Sequence, residues 1–130
     1  MKKIITLLLI AIIHLGCTAQ ESCKQVDRSL TSTQKLLLAP VIAKQLGVPK
    51  TNILESFRLN EWSVIFVDTH QSDEVYLFYA HDPMKSKFIT MWSGAARSDE
   101  GPAIKDWVIK NAKNIPDGLA SCFAAHATEH

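Results

Sequence analysis

The spacing of apolar residues changes twice along this chain, and each change marks a different kind of element. Thr31-Ser32-Thr33-Gln34 has the S/T-x-x-Q form of a capping box and opens an apolar run. Leu36, Leu37, Leu38, Val41, Ile42 and Leu46 follow at helical spacing, and Gly47 then Pro49 end the run. Pro40 lies inside it. A proline there removes one backbone hydrogen bond and crowds the preceding turn, so the pattern predicts a helix that kinks or divides.

From Ile53 to Ala95 the pattern becomes that of strands rich in β-branched and aromatic residues. ILESFRL, WSVIFVDT, EVYLFYAH and KFITMWSG read as four of them, joined through Asn60-Glu61, Gln71-Ser72-Asp73 and residues 82–86. Connections this short make neighbouring strands antiparallel. A second helix is expected from near Ser98, where Asp99 and Glu100 suit its positive end and Pro102 is tolerated in the first turn. Ile104, Trp107 and Val108 carry it toward Asn114, residues 115–118 (IPDG) break it, and Leu119 to Ala127 reads as a short terminal helix. The fold class is α+β: a four-stranded antiparallel meander with an N-terminal helix kinked at Pro40 and two C-terminal helices.

Registering the hairpins by their loops pairs Asp68 near Tyr76 and Trp62 near Asp82, which sorts the side chains onto two faces. Phe57, Leu59, Trp62, Val64, Phe66, Tyr76, Phe78, Phe88 and Trp92 fall on one; Ile65, Val67, Val75, Leu77, Tyr79, Ile89 and Met91 on the other. Neither is polar, whereas an antiparallel sheet in a small domain usually solvates one face. Two arrangements follow. Helices cover both faces in three layers, or both helical parts cover one face. The second leaves an aromatic surface, with Trp62, Phe66, Tyr76, Phe78 and Trp92, for a partner or a second copy.

The first residues bear on compartment. Met1-Lys2-Lys3 precedes an apolar run from Ile4 to Ile13 interrupted only by Thr6. That run spans roughly 15 Å as a helix, about half a bilayer core, and so reads as the apolar part of a secretory signal. Cleavage after Ala19 would leave one domain, 20–130, behind a signal segment 1–19. A lipoprotein-type cut before Cys17 is the alternative: Gly16 suits it, but His14 stands where an aliphatic residue is expected. Loss of residues 1–19 removes Lys2 and Lys3, taking 14 basic and 13 acidic residues to 12 and 13, a net charge of −1. A near-neutral domain without a basic stripe argues against nucleic acid as a partner. Cys23 and Cys122 survive either cut, and in an oxidising compartment such a pair reads as a disulfide closing the whole domain.

Candidate chemistry is thin. Asp68-x-His70 and His81-Asp82 each join a carboxylate to an imidazole, but the hairpin holds them at opposite ends, roughly 25 Å apart. Neither a shared metal site nor a cofactor is expected. Cys122 and His126 are four apart on the last helix and share a face, although a disulfide-bonded Cys122 cannot act as a nucleophile. Ser93 in WSGAAR lacks the G-x-S-x-G elbow, and the helix start accounts for Asp99 and Glu100 beside Arg97.

The stretches YLFYAHDP, MWSGAARSDE and Trp107 followed by KNAKNIPDGLASCFAAH resemble a group of small exported proteobacterial proteins over about 55 residues. The resemblance implies an origin in the bacterial envelope and transfers no catalytic residue. The expectation is therefore an exported, non-catalytic domain of inhibitor or immunity type. It would bind an envelope protein, or itself as a dimer, through an apolar sheet face. It would be periplasmic, touching the membrane only through a lipid on Cys17. A small-molecule or lipid-binding envelope protein is the alternative, and a small hydrolase using His70 or His81 the second.

Overall fold

In the computed structural model the described residues are 19–129. Residues 1–18, which include Cys17 and all of the signal segment but Ala19, lie outside the described residues, as does His130. The elements run α1 (Ala19–Ser22), α2 (Ser32–Leu46), β1 (Asn52–Leu59), β2 (Trp62–Asp68), β3 (Val75–Tyr79), β4 (Thr90–Ser93), α3 (Gly101–Asn111) and α4 (Asp117–Ala127). The sheet is an antiparallel meander in the order β1-β2-β3-β4. The fold is α+β, with one principal helix before the sheet and two after it.

The capping box forms as the sequence implies: the Thr31 hydroxyl accepts from Gln34 N–H at 3.1 Å, and the Gln34 amide oxygen accepts from Thr31 N–H at 2.8 Å. At the other end Gly47 takes φ 68°, the left-handed conformation that glycine adopts without strain. Val48 N–H then closes onto Ala43 O at 3.0 Å. Between these caps α2 passes through Pro40 as one helix rather than dividing. The carbonyl that Pro40 leaves without its helical donor belongs to Leu36, and both residues are exposed to solvent, the least costly place for that loss. α3 starts later than expected. Ser98 and Asp99 form a turn in which the Glu100 carboxylate accepts from Arg97 N–H at 2.6 Å, and Gly101-Pro102 begin the helix.

The observed hairpin register pairs Ser63 with Tyr79 and Val67 with Val75, two residues away from the register inferred from the loops. An even offset preserves the sidedness of every strand residue, so the face assignment of β2 and β3 stands. Helices lie on both faces, in three layers. α2 and Leu30 cover Ile53, Ile65, Val67, Val75, Leu77 and Tyr79. α3 and α4 cover Phe57, Val64, Tyr76 and Phe78 with Ile104, Val108, Leu119 and Phe123.

Two placements correct the sequence reading. The aromatic face is covered, so it forms no open partner surface: Phe78 is 0 % and Tyr76 5 % exposed, while Trp62, Phe66 and Trp92 stay half-buried at its margins. Phe88 belongs to the α2 side, its ring 6.2 Å from that of Tyr79. The pairing of β4 begins only at Thr90, so strand alternation does not govern Phe88.

Cys23 and Cys122 form the expected disulfide, with Cα atoms 4.6 Å apart across 99 positions of sequence. It fastens the segment after α1 to α4. That segment then pairs with the outer edge of β1, where Asp27 and Arg58 exchange backbone hydrogen bonds of 2.8 and 2.9 Å. An edge strand so covered offers no free template there for pairing with another chain.

Candidate functional site

The most developed arrangement of polar groups begins with an irregularity in β1. Ile53 pairs with Val67, but Glu55 pairs with Phe66, so Leu54 is an extra residue without a counterpart in β2. A bulge of this kind reverses which side each following residue presents. Ile53 faces α2, whereas Glu55, Phe57 and Leu59 face α4. The bulge lets Ile53 face α2 while Glu55 keeps a carboxylate on the aromatic side of the sheet.

Glu55 there meets His126. Its Oε2 lies 2.8 Å from Nε2 of the imidazole, and its Oε1 accepts from Arg28 Nη2 at 2.9 Å. The guanidinium also lies over the Phe57 ring, 4.4 Å from its centroid. On the other side of the imidazole, Nδ1 is 3.0 Å from the Tyr76 hydroxyl. A carboxylate can only accept, so the Nε2 hydrogen points to Glu55, and in the neutral imidazole Nδ1 accepts from the phenol. The result is a hydrogen-bonded chain, Tyr76–His126–Glu55–Arg28, with the imidazole 4 % exposed at its centre. Aromatic edges enclose it: Phe57 at 4.9 Å from the imidazole, and Phe123 at 4.8 Å from the Tyr76 ring.

Burial raises the Tyr76 phenol well above its ordinary value, Glu55 adding to the rise, Arg28 opposing it and Glu74 adding again. Burial alone raises Tyr79, whose hydroxyl donates to Gln45 at 2.7 Å. A folded-state value above the unfolded one gives stability that is intact below about pH 10 and lost as pH rises through the native value. These two are the chain's only tyrosines. Phenolate absorbance in an alkaline titration is therefore expected to rise together with loss of the fold, in one cooperative step. A separate ionisation near pH 10 with the fold intact would contradict this.

Beside the chain, between the β3–β4 side of the sheet, residues 94–96 and the end of α4, opens a recess of about 650 Å³. Glu55, Asp73 and Glu74 line it together with Phe66, Tyr76 and Trp92. Phe66 and Tyr76 stack at 4.2 Å, and Trp92 leans on Tyr76 at 5.9 Å. Every charged residue lining the recess is acidic.

The structure keeps apart the residues that the sequence offered for chemistry. His70 pairs with Asp68 at 3.2 Å at one end of the β2–β3 hairpin, and His81 faces Glu61 at 4.0 Å at the other. Among the described residues no group of three or more His, Cys, Asp or Glu is arranged to hold a metal ion. Of the five aromatic residues expected to face a partner, Phe66, Tyr76 and Trp92 line the recess, while Phe78 lies beneath α4 and Trp62 at the far margin. The sequence reading missed Glu55 and gave His126 no role beyond Cys122. One signal was available: residues four apart share a helix face, and Cys122 must face inward to reach Cys23, which turns His126 inward too.

No protein-family model, curated protein or solved structure matches this chain.

Proposed function

We propose that this chain is an exported, non-catalytic binding domain of inhibitor or immunity type, and that its recess receives a basic side chain of a partner protein. The observation that carries this reading is the wall of the recess, three carboxylates beside three aromatic rings with no basic residue among those that line it. Carboxylates gathered on a concave surface attract cations, and aromatic faces add to that attraction. A non-catalytic role is supported by the hydrogen-bonded chain. Its phenol is buried and held in its protonated form, a poor nucleophile.

Export is supported by the disulfide, which suits an oxidising compartment, and by the lysine pair and apolar run at the start of the sequence. The domain would then be periplasmic, or tethered to the envelope by a lipid on Cys17. Among the described residues no helix is long and apolar enough to cross a membrane. One observation favours a second reading: the recess falls within the roughly 300–1,000 Å³ usual for small-ligand sites, so an organic amine is the alternative occupant.

Calorimetric titration with two short peptides, one rich in Arg and Lys and one rich in Glu, tests the proposal. The basic peptide is expected to bind and to weaken with added salt. The double change Asp73→Asn, Glu74→Gln should weaken it about three- to tenfold, the yield of two partly solvated charges. Equal binding of both peptides, or none, contradicts the reading.

A further inference from the structure

On the opposite face of the sheet, beneath α2, lies a smaller groove of about 220 Å³. Leu30, Leu37, Leu38, Ile65 and Met84 make its walls apolar. Its floor is polar. Arg58 and Ser63 stand opposite each other in the β1–β2 ladder, and both line the groove. Among the described residues, Arg58 Nε and Ser63 Oγ are buried side-chain atoms without a hydrogen-bond partner. Ser63 is 4 % exposed. Arg58 already commits Nη2 to Asp27 and Ser29, which leaves Nε–H unmatched. A buried donor without an acceptor has lost its hydration with nothing in return, so folds rarely keep two side by side.

We propose that this groove is a second binding site, for an uncharged acyl compound: a short apolar chain ending in an amide or ester carbonyl. Both unmatched groups can donate, and a carbonyl oxygen has two lone pairs to accept them. The surrounding charge selects a neutral head. Asp27 already balances Arg58, and Asp82 also lines the groove, so a carboxylate head would meet repulsion. An ammonium head offers no acceptor and would leave the Arg58 Nε–H unmatched. The volume lies below the usual range for drug-sized ligands, which confines the occupant to a short chain. A shallower recess continues from Arg58, Ser63, Asp82 and Pro83, giving the head a route to water. Leu37 and Met84, 57 % and 43 % exposed, form an apolar rim that the chain would cover.

Titration of the oxidised protein with octanamide, octanoate and octylamine, followed by amide NMR, tests this. Octanamide is expected to bind most tightly and to shift residues 56–65 and 82–84. Ser63→Ala is expected to weaken it about three- to tenfold, the usual yield of one hydrogen bond. The same substitution should leave the unfolding midpoint unchanged or raised, because it removes a hydroxyl that has no partner in the fold. The proposal is overturned if octanoate or octylamine binds as well as octanamide, if shifts centre on residues 73–76 and 92–96, or if no probe binds. A lowered midpoint in Ser63→Ala with unchanged octanamide affinity also overturns it, since the hydroxyl would then serve the fold.

Discussion

Reduction of the Cys23–Cys122 bond lowers the thermal unfolding midpoint by roughly 15–20 °C, the largest effect expected from any single chemical change. The bond closes a loop of 99 positions, nearly the whole described domain. In the chain-entropy account a loop near that length is worth about 4.7 kcal/mol, because cross-linking removes so many conformations from the unfolded chain. A domain of this size has about 5–15 kcal/mol in total. The bond also performs a local task, holding the segment after α1 against α4 so that Asp27 can pair with the edge of β1. Unfolding followed by circular dichroism with and without a phosphine reductant measures the difference. A shift of only a few degrees would mean that the reduced chain keeps these contacts and that the covalent link matters little.

Replacement of His126 by alanine destabilises the domain by about 3 kcal/mol, the second largest effect. The substitution opens a cavity among Phe57, Phe66 and Tyr76 and strands two polar partners at once. The Tyr76 hydroxyl is buried and loses its acceptor, at about 1–3 kcal/mol. Glu55 loses less, because its side chain is 36 % exposed and Arg28 still holds it. Tyr76→Phe alone should cost about 1 kcal/mol, and the two changes should be non-additive because they break one shared bond. Urea unfolding of the two single variants and the double variant measures that coupling. Strict additivity would show that the phenol and imidazole do not act as a unit.

What the sequence disclosed was governed by local rules. The capping box at Thr31, the left-handed Gly47 and the Asn60-Glu61 hairpin all depend on residues a few positions apart, and all form where the spacing puts them. The disulfide followed from compartment and cysteine count. The α+β class followed from the change in period from 3.6 to 2 and back. Strand sidedness survived a wrong hairpin offset only because that offset was even.

The chain Tyr76–His126–Glu55 was hidden because its members lie far apart in sequence, Tyr76 and His126 by 50 positions. Alternation from Phe57 puts Glu55 on the aromatic side but carries Ile53 there too; one unpaired residue, Leu54, sends Ile53 beneath α2 instead, and no spacing rule announces a bulge. Phe88 was misplaced for a related reason, since its segment leaves the ladder before Thr90. The pairing of Arg58 with Ser63 was equally obscure. A sheet face scored as apolar from its aliphatic members conceals a polar floor at one end.

Amide NMR of the oxidised protein, titrated with the Arg- and Lys-rich peptide, tests the central claim most directly, because it reports where the cation goes as well as whether it binds. The account predicts saturable shifts at residues 73–76, 92–96 and 127, with the indole signal of Trp92 moving among them, and their loss in the Asp73→Asn, Glu74→Gln variant. Shifts centred on other residues, or none at peptide concentrations in the millimolar range, would contradict it.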